Sequence, residues 1–133
     1  MNCYNNKLTS LDVSKNTKLT YLNCWGNQLK ELNVSGNPAL ATLNCSNNKL
    51  TSLDVSNNKE LKELNCFENQ ITDLNVSGAS ALAKLNCRSN KLTSLDVSKN
   101  LELADLYCGY NQLTSLDVSN NKKLENLSCF LPN

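Results

Sequence analysis

Cysteine occupies Cys3, Cys24, Cys45, Cys66, Cys87, Cys108 and Cys129 of this 133-residue chain, each twenty-one positions after the last. A repeat this regular constrains the architecture before any local propensity is consulted. Other apolar columns keep the same frame. One holds Leu22, Leu43, Leu64, Leu85, Leu106 and Leu127; another Leu8, Leu29, Leu50, Ile71, Leu92 and Leu113; a third Val13, Val34, Val55, Val76, Val97 and Val118. A compact globular fold has no use for the same side chain at so fixed an interval. A solenoid does, because each coil packs on a copy of itself.

Each unit is nested. Its first half reads L-x-x-L-x-C-x-x-N-x, and its second half L-x-x-L-D/N-V-S-x-N-x-x. The steps L-x-C and L-x-V have period 2, the inward face of a short strand. Neither half offers the roughly ten to twelve residues of 3.6 periodicity that a helix wants. The expectation is a solenoid of about six to seven coils, with a parallel sheet on the first-half side, short strands opposite and essentially no helix. Residues 1–133 read as one repeat domain without recognisable caps.

The combined pattern, L-x-x-L-x-C-x-x-N-x-L-x-x-L-D-V-S-x-N-x-x, resembles a leucine-rich repeat. A unit of this length, with a cysteine in the third core slot, is similar to the cysteine-ladder internalins and related bacterial surface proteins. That resemblance implies a right-handed solenoid with a concave parallel sheet that binds a protein partner, and an extracellular or cell-surface location. No signal peptide, helical N-terminal cap, immunoglobulin-like segment or cell-wall-sorting segment is recognisable in the chain.

The columns have bland readings that outweigh the sharp ones. Coils are expected about 4.8 Å apart with parallel Cα–Cβ vectors, whereas a disulfide wants Cβ atoms about 3.8 Å apart. A straight column cannot ligate a metal tetrahedrally. The cysteines are therefore expected to be reduced, buried and hydrophobe-like. Asn6, Asn27, Asn48, Asn69, Asn90 and Asn111 form a second ladder. In the resembled family this asparagine points inward at the strand exit, where its amide can satisfy turn and neighbouring-coil backbone. A further asparagine column, broken only by Ala79, should do the same at the other corner. Asp12, Asn33, Asp54, Asn75, Asp96 and Asp117 share one outward slot and read as a solvated face rather than a cation site. Pro132 takes the ladder-asparagine slot of the last coil, where it cannot donate.

Composition removes several functions. Thirteen basic residues against twelve acidic leave a net charge of +1, not the basic field of a nucleic-acid binder. No run approaches the roughly 18 apolar residues of a membrane span. There is no histidine, no Gly-rich phosphate loop and no unique nucleophile, so no catalytic site, cofactor or metal is expected.

Variation concentrates on the outward slots of the first strand. All seven aromatics fall there: Tyr4, Tyr21, Trp25, Phe67, Tyr107, Tyr110 and Phe130, with Arg88 in the same column as Trp25 and Phe67. Aromatics meant for packing would point inward. On a rigid sheet they suit recognition, contributing area at low entropy cost. The expected function is a non-catalytic binding module gripping a protein, ahead of a glycan. Trp25 is the expected anchor. The alternatives are a structural solenoid stacking head to tail through uncapped strands, and a fragment or engineered array of a larger adhesin.

Overall fold

The computed structural model describes residues 1–130, so Pro132 lies outside the described residues. Eight short strands form: β1 (Tyr21–Asn23), β2 (Thr42–Asn44), β3 (Ser52–Asp54), β4 (Glu63–Asn65), β5 (Asp73–Asn75), β6 (Lys84–Asn86), β7 (Asp105–Tyr107) and β8 (Asn126–Ser128). No helix occurs among the described residues. Six strands make one parallel sheet, ordered β1-β2-β4-β6-β7-β8, and β3 pairs with β5 in a second. Every neighbouring pair is in register one repeat apart, as in Leu22↔Leu43 and Leu85↔Leu106. The period read from the cysteines is thus the coil of the solenoid.

The core is the set of inward columns. Leu22, Leu43, Leu64, Leu85 and Leu106 are fully buried, as are Cys24, Cys45, Cys66, Cys87 and Cys108. Burial fails only where a coil lacks a neighbour: Cys3, Leu8, Cys129 and Leu124 are half-covered, and Leu127 is exposed. For the same reason the turns number about five, fewer than the six to seven expected. Six strands span the first sheet, and the opening coil contributes only the Asn2↔Asn23 bridge.

Two expectations are corrected. The sequence predicts a strand in the second half of each coil, but pairing there is confined to β3 and β5. Elsewhere on that side the coils are joined by asparagine side chains, such as Asn37 to Val13 O, rather than by strand pairing. At Gly78 the backbones come closer. A Cβ added there would overlap Ser56 O. Only a glycine lets the backbones approach so closely, and the following residue, Ala79, is the column's one short side chain. Val55 N–H then donates to Asn75 O at 3.0 Å, just beyond the β3–β5 pair.

The second correction concerns the thiols. Cys108 and Cys129 are joined as a disulfide, with Cα atoms 4.8 Å apart. Coil spacing itself lies within the Cα window of a disulfide, roughly 4.4–6.8 Å. What opposes bonding inside the ladder is the parallel aim of packed side chains. Cys129 is half-exposed, whereas Cys24, Cys45, Cys66 and Cys87 are fully buried. Cys3, Cys24, Cys45, Cys66 and Cys87 remain thiols.

Candidate functional site

The asparagine ladder sets the edge of the first-strand face. Asn69 shows its chemistry: Nδ2 donates to Cys45 O at 3.1 Å and Cys66 O at 3.2 Å, while Oδ1 accepts from Leu50 N–H at 3.0 Å. Asn27, Asn48, Asn90 and Asn111 repeat the set. Asn6, with no coil before it, reaches only Cys3 O and Tyr4 O. The second asparagine column behaves differently. Asn58 Nδ2 donates to Val34 O and Asn37 O, both at 3.0 Å, but its buried Oδ1 has no protein partner. Asn37, Asn100 and Asn121 are alike in this.

The acidic column has a local task that its spacing did not reveal. Asp12, Asp54, Asp96 and Asp117 each accept the N–H of the serine two residues on, at 2.8–2.9 Å. Asn33 and Asn75 do so equally, which explains why Asp and Asn interchange there. Hydrogen bonds from Ser14, Ser98 and Ser119 hold the carboxyls of Asp12, Asp96 and Asp117 below their ordinary values. A concavity of about 770 Å³ lies on this side between Asp12, Glu31, Asn33 and Asp54. It is open, and no aromatic side chain lines it.

On the first-strand face, Asn23, Asn44 and Asn86 accept the N–H groups of Trp25, Ser46 and Arg88. They fix the exits of β1, β2 and β6, and with them the column that follows. In that column small residues are roofed by large ones. Ser46 is fully buried although its slot faces outward, between Trp25 and Phe67, and its Oγ accepts Phe67 N–H at 3.1 Å. Gly109 is buried beneath Phe130, whose Cδ2 would lie 2.9 Å from a Cβ at position 109. Trp25, Phe67 and Tyr107 are accordingly half-buried. The open aromatics are Tyr4, Tyr21, Tyr110 and Phe130, the last two 63% and 62% exposed.

The eight sequence-predicted face residues fall into two groups with Phe67 between them. Tyr4, Tyr21 and Trp25 occupy the first coils, where Asn5 N–H donates to Trp25 O at 2.7 Å. Arg88, Tyr107, Tyr110 and Phe130 occupy the last. There the Arg88 guanidinium lies 5.4 Å from the centroid of the Tyr110 ring, and that ring 5.8 Å from Phe130. Sequence reasoning missed that the slot of Tyr110 is left-handed in every coil described. Asn5, Asn47, Glu68, Ser89 and Tyr110 have φ of 54–57°, and Gly26 has 70°. The signal was present in Asn5, Gly26 and Asn47, the residue types that tolerate such a backbone.

Burial raises the ladder thiols, taking Cys24 and Cys87 to about 12 and Cys45 and Cys66 well above the ordinary thiol value. They are packing groups, not nucleophiles. No group of three potential metal ligands occurs among the described residues. No helix there is long and apolar enough to cross a membrane.

Family models for leucine-rich repeats match residues 38–78 and 4–21. No curated protein matches. Among solved structures, the chain is similar to the functional domain of InlJ from Listeria monocytogenes, described as including a cysteine ladder. Identity is 49% over 98% of this chain and 29% of that one, with a TM-score of 0.95. A leucine-rich repeat protein of Leptospira interrogans is 28% identical over 97% of this chain and 36% of that one, TM-score 0.86. An internalin (InlF) of Listeria monocytogenes is 26% identical over 96% and 39%, TM-score 0.91. The chain thus spans 29–39% of the length of these three chains.

Proposed function

Because the chain belongs to the leucine-rich repeat proteins of the cysteine-ladder type, we propose that it is a non-catalytic module that binds a protein through its first-strand face. Internalin-like repeats are in general interaction modules; the choice of face is drawn from this chain. The observation that carries it is the placement of the aromatics. All seven project from first-strand slots, four stand open, and none fills a core column. Each strand of the sheet beneath them is hydrogen-bonded to its neighbours, and ladder asparagines tie down the exits of β1, β2, β4, β6 and β7. Side chains offered from such a platform lose little entropy on binding.

The test is a protein array probed with the labelled chain, followed by substitutions on both faces. Trp25→Ala should weaken capture by about 2 kcal/mol, the scale of a binding hot spot. Trp25 is half-buried, so the thermal midpoint of the variant must be followed alongside. Ser52→Ala, on the opposite face, should leave capture unchanged. Binding that survives Trp25→Ala and Tyr21→Ala but is lost with Ser52→Ala would overturn the assignment of the face.

A further inference from the structure

We propose that the centre of the binding face is the Arg88–Tyr110 pair, and that it takes a protein segment presenting a carboxylate beside an apolar side chain. This rests on the reading of the first-strand face as the binding surface and moves its focus away from Trp25. Tyr110 is the first reason. Its φ of 57° puts a bulky side chain in the left-handed region, where such residues are strained and where strain collects at functional sites. Asn5, Gly26 and Asn47 fill the same slot at lower cost. The ring is 63% exposed, so the core gains nothing from it in return.

Arg88 is the second reason. It is the only arginine in the chain. Its guanidinium lies over the Tyr110 ring at 5.4 Å and makes no ion pair or side-chain hydrogen bond among the described residues. Nearby carboxylates are used otherwise. Glu63 meets Lys84 at 3.9 Å and accepts from Asn65, and Asp105 accepts from Asn126. Glu68 adjoins Arg88 on the backbone, donating its N–H to Arg88 O at 3.0 Å, yet forms no ion pair with it. A stacked guanidinium with its fork unused matches a carboxylate in two-point geometry. Phe130, drawn over Gly109 and 5.8 Å from Tyr110, supplies an apolar wall beside the charge.

The experiment is a selection of loop-constrained peptides, displayed on phage, against the immobilised chain. Enriched peptides are then synthesised and their affinities measured by fluorescence anisotropy. The expected consensus places Asp or Glu next to an aromatic or aliphatic residue. Arg88→Lys keeps the charge but loses the planar fork, and should weaken these peptides at least about tenfold. Tyr110→Asn should weaken them similarly while raising the thermal midpoint, because it relieves the left-handed strain. A merely structural Tyr110 would not give that opposite pair of effects. Failure to enrich peptides, a consensus without an acid, or a lowered midpoint for Tyr110→Asn would overturn the proposal. Peptides sensitive to Trp25→Ala but not to Arg88→Lys would remove this site and leave the first-strand face standing. Peptides indifferent to all three substitutions would remove both.

Discussion

Replacing Asn69 by alanine tests whether the ladder asparagine holds the coils together. Its Oδ1 is the only partner of the buried Leu50 N–H, at 3.0 Å. Truncation leaves that donor orphaned, at a cost of about 1–3 kcal/mol. The carbonyls it serves fare better. Cys45 O keeps Asn48, Cys66 O keeps Asn90 and Phe67 O keeps Asn47 N–H, so each loses one donor of two, and together they add about 1 kcal/mol more. The expected total is about 2–4 kcal/mol, or roughly 10 °C in midpoint for a chain of this size. Asn58→Ala should cost less, although Asn58 is fully buried. It only donates, so no N–H is orphaned by its removal. Asn57→Ala, in an exposed slot, should be near neutral. Thermal and urea unfolding followed by circular dichroism give the order. A further variant divides the effect. Asn69→Asp keeps the acceptor for Leu50 but turns a carboxylate on those carbonyls, and should be at least as damaging as alanine. Equal midpoints for Asn69→Ala and Asn58→Ala would refute the account, because the orphaned Leu50 N–H is all that separates them.

Three further expectations follow from packing and ionisation. Thiol labelling of the native chain should find Cys3 fast and Cys24, Cys45, Cys66 and Cys87 slow; denaturation should expose five thiols without reductant and seven with it, and seven without reductant would rule out the Cys108–Cys129 bond. The buried thiols are raised above their unfolded value, Cys24 and Cys87 to about 12, so their contribution is complete below about pH 8.5 and is lost as pH rises towards 12. Anaerobic urea midpoints should accordingly fall from about pH 9 to about pH 11, and a Cys24→Ala, Cys87→Ala variant should fall less steeply. Gly78→Ala places a methyl group on top of Ser56 O, so it should force the coils apart, abolish amide-exchange protection at Val55 N–H and lower the midpoint by several degrees; retained protection there would show that glycine is not what closes this corner.

The coil was legible in the sequence because inward columns are specified identically in each repeat. Leu64 and Cys66 sit on copies of themselves in the next coil, so one unit predicts the rest. The ladder asparagines were legible for the same reason, since one buried amide serves two coils. Features that depend on a single place in the solenoid were not. Gly78 and Ala79 look like two small substitutions in a tolerant corner, but the second sheet exists only beside them. Ser46 and Gly109 occupy outward slots and are buried, Gly109 beneath the Phe130 ring of the next coil. The Cys108–Cys129 bond was missed because an argument about stacked, parallel side chains was extended to a cysteine packed on one side only.

The candidate site was legible as a set of slots and not as a surface. Column membership put Tyr4, Trp25, Phe67, Arg88 and Phe130 together, and treated each as equally outward. Exposure divides them by their neighbours. Trp25 is half-buried, so the sole tryptophan offers a partner less of its surface than the open tyrosines do. Tyr110, on its left-handed backbone, is 63% exposed. The same backbone is a cost in every coil, met by Asn or Gly in three of the six. The slot holds a tolerant residue three times, Glu68 and Ser89 once each, and at Tyr110 its bulkiest side chain. Folding explains the asparagines. For the tyrosine the proposed contact with a partner is the second demand, and the arginine over its ring points to what that contact must carry.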